Sequence, residues 1–181
     1  MGALSGGAIG GDDDSGGGRK PPDGTGSGRR MPVQQAVDVA APVEVVYNQF
    51  TQFEEWTKFM HRVESASQED EGHVTFKTKQ WAVHRQWEAE ITDQRPDERI
   101  AWKSTTGERH AGVVTFHRIS DDTTRIMLQL DYEPEGLVDK AGDALGFVKR
   151  RAKGDLERFK ELIENRGAES GAWRGNVPAG S

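Results

Sequence analysis

VDVAAPVEVVYNQFTQFEEWTKFM, residues 37–60, decides how this chain folds. Its front end continues a run, VQQAVDV at 33–39, in which apolar and polar residues alternate. A period of two marks a strand with one face buried. Ala41-Pro42 then interrupts the alternation. Proline suits the first turn of a helix, where its missing N–H would have no partner anyway. Val43, Val46, Tyr47 and Phe50 follow at helical spacing, which predicts a short helix. A second short helix is predicted from Phe53 to Phe59, carrying Trp56.

Working outward, residues 62–133 keep the strand period. RVESASQED and HVTFKTKQW are joined at Glu71-Gly72, and Val74, Phe76 and Thr78 share a face. VHRQWEAEITDQR puts Val83, Arg85, Trp87, Ala89 and Ile91 on one side, with a turn at Pro96-Asp97. Ile100, Trp102 and Ser104 alternate up to Thr106-Gly107. AGVVTFHRIS and TTRIMLQLDYE form a last hairpin around Asp121-Asp122. Val114 and Phe116 share a face there, as do Ile126, Leu128, Leu130 and Tyr132. No helix intervenes to carry a parallel crossover, so the strands are expected to be antiparallel.

From 137 to 165 the period switches. Val138, Ala141, Leu145, Val148, Ala152, Leu156, Phe159 and Ile163 recur at intervals of three and four. This predicts one amphipathic helix of about 40 Å. Gly136, Gly142, Gly146 and Gly154 interrupt it, either kinking the helix or leaving room for a ligand beneath it. Residues 1–31 are read as a disordered, glycine-rich leader, with Met31 as an alternative translation start. Residues 32–166 are read as the folded domain, and 167–181 as a flexible tail. Trp173 in that tail is either an incidental exposed ring or a clip onto the sheet.

Composition narrows the function. The 181 residues carry a net charge of −6, are 34% hydrophobic and include no cysteine. Disulfides and thiolate chemistry are excluded, and a cytoplasmic location fits. An acidic chain with no basic stripe argues against nucleic-acid binding. No apolar run reaches membrane-spanning length, and MGALSGGAIGGDDD has neither the charged nor the apolar region of a secretory signal. Lys149, Arg150, Arg151 and Lys153 form a small basic cluster, read as a solvated face or a transient contact with an anionic membrane surface. His61, His73, His84, His110 and His117 form no metal-binding pair, so neither metal nor cofactor is expected.

The order of elements resembles the START-like (SRPBCC) superfamily, which includes polyketide cyclase/dehydrases, coenzyme Q-binding proteins and lipid-transfer domains. Residues 37–60 resemble its opening. Tyr132-Glu133-Pro134 before the long helix and LERFKELIENRGAESGAWRG at 156–175 are similar to actinobacterial cyclase/dehydrase members. The resemblance implies an α+β helix-grip fold: a curved antiparallel sheet of six to seven strands wrapped around the long C-terminal helix, with two short helices after the first strand. It further implies a cavity between sheet and helix.

Three functions follow as expectations. In the first, the cavity holds a small hydrophobic molecule (a polyketide, quinone or lipid-like compound) as carrier or sensor. Its walls would be Trp56, Phe59, Phe76, Trp87, Trp102, Val114, Phe116, Leu128, Tyr132 and Leu145, unless these rings simply fill the core. In the second, the protein is a polyketide cyclase/dehydrase working by acid/base aldol chemistry, with Arg85, Tyr132 and His117 as candidate groups and His84 and Asp131 behind them. Arg85 would need a carboxylate or ligand oxygen if it faced inward, whereas a bulge near Trp81 would turn it to solvent. The aromatase/cyclase pattern also implies a pocket tyrosine where Val63 stands and a pocket arginine near Gln94 or Arg95. Val63 departs from that pattern. In the third, the domain serves protein interaction or co-chaperone work through its tails.

Overall fold

The computed structural model of the chain describes residues 31–180 except 81, 108–109 and 133–140, and describes residues 31, 80, 110, 132 and 141–144 by their backbone alone. The leader at 1–30, and Gly136 and Val138 of the helix reading, lie outside the described residues.

Strand β1 (Met31–Val39) leads through Pro42 into helix α1 (Val43–Phe50) and a 3-10 helix (Phe53–Lys58). The Pro42 carbonyl accepts the Val46 N–H at 3.1 Å, so proline precedes the first turn. Glu44 adds negative charge at the positive end of α1. Then come β2 (Val63–Gln68), β3 (His73–Gln80), β4 (Val83–Arg95), β5 (Arg99–Ser104), β6 (His110–Ser120) and β7 (Thr123–Tyr132). Helix α2 (Ala141–Arg166) follows.

The strands form one seven-stranded antiparallel sheet in the order β1-β7-β6-β5-β4-β3-β2. The first strand therefore pairs with the last, Val33 opposite Leu130 and Val37 opposite Ile126. Lys160 of α2 donates to the Asp38 carbonyl at 2.8 Å, and Glu164 accepts the Ala40 N–H at 2.8 Å, which ties α2 to the β1 end. The α2 residues Ala152, Leu156, Phe159 and Ile163 join the core formed by the inward residues of the strands and α1. This is the helix-grip architecture.

Alternation placed the strand faces correctly, but one irregularity moved. The β3–β4 register runs unbroken from His73 opposite Glu90 to Gln80 opposite Val83. The bulge lies instead between Ile91 and Asp93. It leaves both Asp93 and Gln94 buried, and Gln94 donates to the Tyr47 hydroxyl at 3.0 Å. Gly146 and Gly154 do not open onto the interior: a Cβ there would lie 3.5 Å from Arg150 and 3.3 Å from Arg158, respectively.

The segment after α2, read from sequence as a flexible tail, is docked. Gly167 closes the helix in a left-handed conformation (φ 72°), its N–H donating to Ile163 at 2.8 Å. The Ser170 and Trp173 N–H groups donate to Gln49 Oε1 (2.9 Å) and Thr51 Oγ1 (3.1 Å) of the α1 region. Arg174 forks onto Asp97 at 2.6 and 3.0 Å. Val177 forms an antiparallel bridge with Gln94 through two backbone bonds of 2.8 and 3.0 Å. The reason lies in β4, which runs past the end of β3. The bare edge this leaves is covered by the tail.

Glu55 anchors the same corner. Lys58, Arg166 and Gln49 donate to its carboxylate at 2.7, 3.0 and 3.0 Å. Burial works to raise its pKa, but these donors outweigh burial and hold it at about 2, below the usual 4.5. A depressed carboxylate stabilises the fold above its unfolded pKa, and that contribution is lost as pH falls through the folded value. Wild-type stability is therefore expected to drop by about 2 kcal/mol from this group between about pH 4.5 and 2. In Glu55→Gln, urea unfolding across that window should show a correspondingly smaller acid loss. An undiminished loss would assign the acid sensitivity to other carboxylates.

Candidate functional site

The interior has a filled half and an open half, and α2 sets the boundary. Its core stripe is long toward the C-terminus, at Leu156, Phe159 and Ile163, and short further back, at Val148 and Ala152. Under the long half, rings interlock. Phe50 meets Trp56, Phe116 and Phe159 at centroid distances of 5.2, 5.7 and 5.2 Å, and Phe59 meets Phe159 at 5.0 Å. The buried Trp56 indole N–H is satisfied by the Phe50 carbonyl at 2.9 Å.

Under the short half lies a cavity of about 650 Å³. Its aromatic walls include Trp56, Phe59, Phe76, Trp87 and Trp102. Phe76 and Trp87 stack face to face at 4.4 Å across the β3–β4 pair. The Trp102 indole lies across Gly112 of the neighbouring strand. A Cβ at Gly112 would fall 2.2 Å from the ring, so only glycine leaves space for it there. Val63, Leu128, Leu130, Val148, Ala152 and Leu156 add to the apolar lining.

Charged and polar side chains also reach the cavity. Arg62, Arg85 and Arg151 line it together with Thr78, Gln86 and Asp155. The Arg62 guanidinium sits 4.5 Å above the half-exposed ring of Phe147, joining the chain just before β2 to α2. Asp155 is buried and accepts bonds from the His61 N–H (3.2 Å) and Arg158, with Arg151 at 3.7 Å. Arg158 also donates to the Phe59 carbonyl at 2.8 Å.

Six of the expected wall residues line this cavity: Trp56, Phe59, Phe76, Trp87, Trp102 and Leu128. Three do not. Val114 and Phe116 point inward but lie in the filled half, Phe116 edge-on to Tyr47 at 5.4 Å. Leu145 packs against the core without reaching the cavity. The side chain of Tyr132 lies outside the described residues. Among the catalytic candidates, Arg85 keeps the face of Trp87 and Ala89 and stands at the exposed end of the cavity. His117 is exposed and shares a hydrogen bond with Thr115 at 2.9 Å, away from the cavity. His84 faces Glu64 at 2.9 Å, and Asp131 is exposed. Of the positions implied by the aromatase/cyclase pattern, Val63 lines the cavity. Gln94 is committed to Tyr47, and Arg95 lies beside Asp93 at 3.3 Å.

Sequence reasoning missed Arg62, Phe147, Arg151 and Asp155. The last three recur every four residues along α2, a second stripe beside the apolar one that helical spacing could have exposed. Among the described residues there is no cluster of His, Cys, Asp or Glu able to hold a metal ion, and no helix long and apolar enough to cross a membrane.

Known proteins are similar to this chain. A 17.2 kDa protein of Streptomyces lincolnensis, described as uncharacterized and encoded in the melC2-rnhH intergenic region, is 51% identical over 146 residues, covering 80% of this chain and 97% of that one. Among solved structures, the Zhui aromatase/cyclase of a Streptomyces species superposes with a TM-score of 0.65 at 19% identity, covering 80% of this chain and 100% of that one. A START superfamily protein from Mycobacterium smegmatis gives 0.60 at 15% identity, covering 75% and 95%. At such identities the likeness is one of fold. Residues 39–161 match the family model for polyketide cyclase/dehydrase and lipid transport proteins, and the chain belongs to that family.

Proposed function

We propose that this protein holds a small hydrophobic molecule (polyketide, quinone or lipid-like) in the cavity between sheet and α2, as a carrier or sensor in the cytoplasm. The observation that carries this reading is the cavity itself. About 650 Å³ stays open beneath α2, walled by stacked and edge-on aromatic rings. That size falls within the range of small-molecule sites.

A cyclase needs a base positioned at the ligand. Among the described residues lining the cavity, Asp155 is the one carboxylate, and Arg158 and the His61 N–H already engage it. This favours binding over turnover.

The test is a titration with N-phenyl-1-naphthylamine, a neutral apolar fluorophore. Saturable binding of one probe per chain is expected, with energy transfer from the indoles of Trp56, Trp87 and Trp102. Absence of saturable binding by the folded protein would remove the proposal.

A further inference from the structure

The docked tail reaches the cavity through the residues that carry its inner wall. This step rests on the binding reading above and adds a means of regulating it. Among the described residues, none beyond Leu156 lines the cavity, so the tail is no part of the wall itself. Its partners at the end of α1 bracket that wall. Asn48 donates to Glu169 at 3.0 Å and accepts from Arg174 at 2.9 Å. Gln49 Oε1 accepts the Ser170 N–H at 2.9 Å, while its amide nitrogen donates to Glu55 at 3.0 Å. Thr51 Oγ1 accepts the Trp173 N–H at 3.1 Å. Phe50 stands between Gln49 and Thr51, and Trp56 stands beside Glu55. Both rings line the cavity, and the Phe50 carbonyl holds the Trp56 indole N–H at 2.9 Å.

Asn48, Gln49 and Thr51 are buried. Buried polar groups that lose their partners are costly, so the corner cannot keep its arrangement when the tail leaves. The tail itself is held lightly. Trp173 and Val177 are half-buried, and its other anchors are the Arg174 fork onto Asp97 and the Val177 bridge to Gln94. Segments with few buried apolar contacts open at a fraction of the global unfolding cost.

We infer that residues 168–178 form a strap that sets ligand affinity. Docked, the strap holds Phe50 and Trp56 in the binding position. Released, it lets the inner wall relax and weakens binding, and bound ligand in turn holds the strap down.

The test uses the full-length chain. Arg174→Gln combined with Val177→Pro removes the fork onto Asp97 and the N–H that Val177 donates to the Gln94 carbonyl. Circular dichroism checks the fold, and faster amide exchange at Ser170 and Trp173 checks release. Affinity for N-phenyl-1-naphthylamine is expected to fall about tenfold, within the usual range for coupled sites. Coupling is reciprocal, so saturating probe should slow amide exchange at Ser170, Trp173 and Val177 of the wild type by a similar factor. A tail with a merely structural role would not respond to the probe. Unchanged affinity in a folded variant whose tail is released overturns the inference. So does wild-type tail exchange that is indifferent to saturating probe, and this comparison decides alone if the variant does not fold. Failure of the probe to bind the wild type strikes the underlying function instead, so the two failures are distinguishable.

Discussion

Ala152→Trp is expected to weaken binding of N-phenyl-1-naphthylamine by about a hundredfold or more while the protein stays folded, with a thermal midpoint within a few degrees of wild type. Ala152 is 3% exposed and faces the cavity from the short half of the α2 stripe. An indole adds roughly 150–250 Å² of apolar surface, to be packed against rings already lining the space. In a filled interior such an insertion typically costs about 1–3 kcal/mol of strain. Here the side chain has a ready volume of about 650 Å³ to enter, so it should displace ligand rather than protein. Unaltered probe affinity in the folded variant would mean that the probe sits elsewhere. A variant that fails to fold would mean that the space beneath α2 is not available to a side chain.

Phe159→Ala is expected to cost about 3–5 kcal/mol of folding free energy. Phe159 is fully buried, and its ring contacts those of Phe50 and Phe59 at 5.2 and 5.0 Å. Removing it deletes aromatic contact from the filled half and opens a void that a rigid ring cluster cannot collapse to close. Against a total stability of about 5–15 kcal/mol, that loss would leave the domain marginal. Urea unfolding followed by circular dichroism measures it. The informative contrast is Phe147→Ala, whose ring is 42% exposed over Arg62 and whose removal should cost about 1 kcal/mol or less. Equal losses at the two positions would contradict the division of the interior into filled and open halves.

Much of the architecture was readable because it rests on local periodicity. The run read at 83–95 coincides with β4, and the switch from period two to helical spacing marks α2. Alternation also told which residues face inward. It could not tell which end of the sheet they face. Phe76 and Phe116 carry the same signal, yet one meets open space and the other meets Tyr47 and Phe50. That difference depends on where the helix crosses the sheet, which no single window of sequence contains. Arg62, Arg85 and Arg151 meet for the same nonlocal reason. The tail, read as flexible with a clip at Trp173 as the alternative, docks onto partners that look ordinary in sequence. Asn48 and Gln49 of α1 and Thr51 at its end are polar, yet they are buried and bond to Glu169, Ser170 and Trp173. Polar residues on an otherwise buried helix were the available sign that another segment would come to meet them.

The pairing of β1 with β7 has a consequence for how the chain is made. Met31 opposes Tyr132, so the earliest strand to leave the ribosome finds its neighbour about a hundred residues later. At about 5–20 residues per second, this amounts to roughly ten seconds of waiting. Through that interval the nascent β1 has no hydrogen-bonding neighbour. Pro32, Gln34 and Asp38 on its exposed face limit sticking to other chains. Closure of the sheet is therefore a late event in synthesis, and slow decoding anywhere between β1 and β7 should lengthen the period in which the newborn polypeptide depends on chaperones.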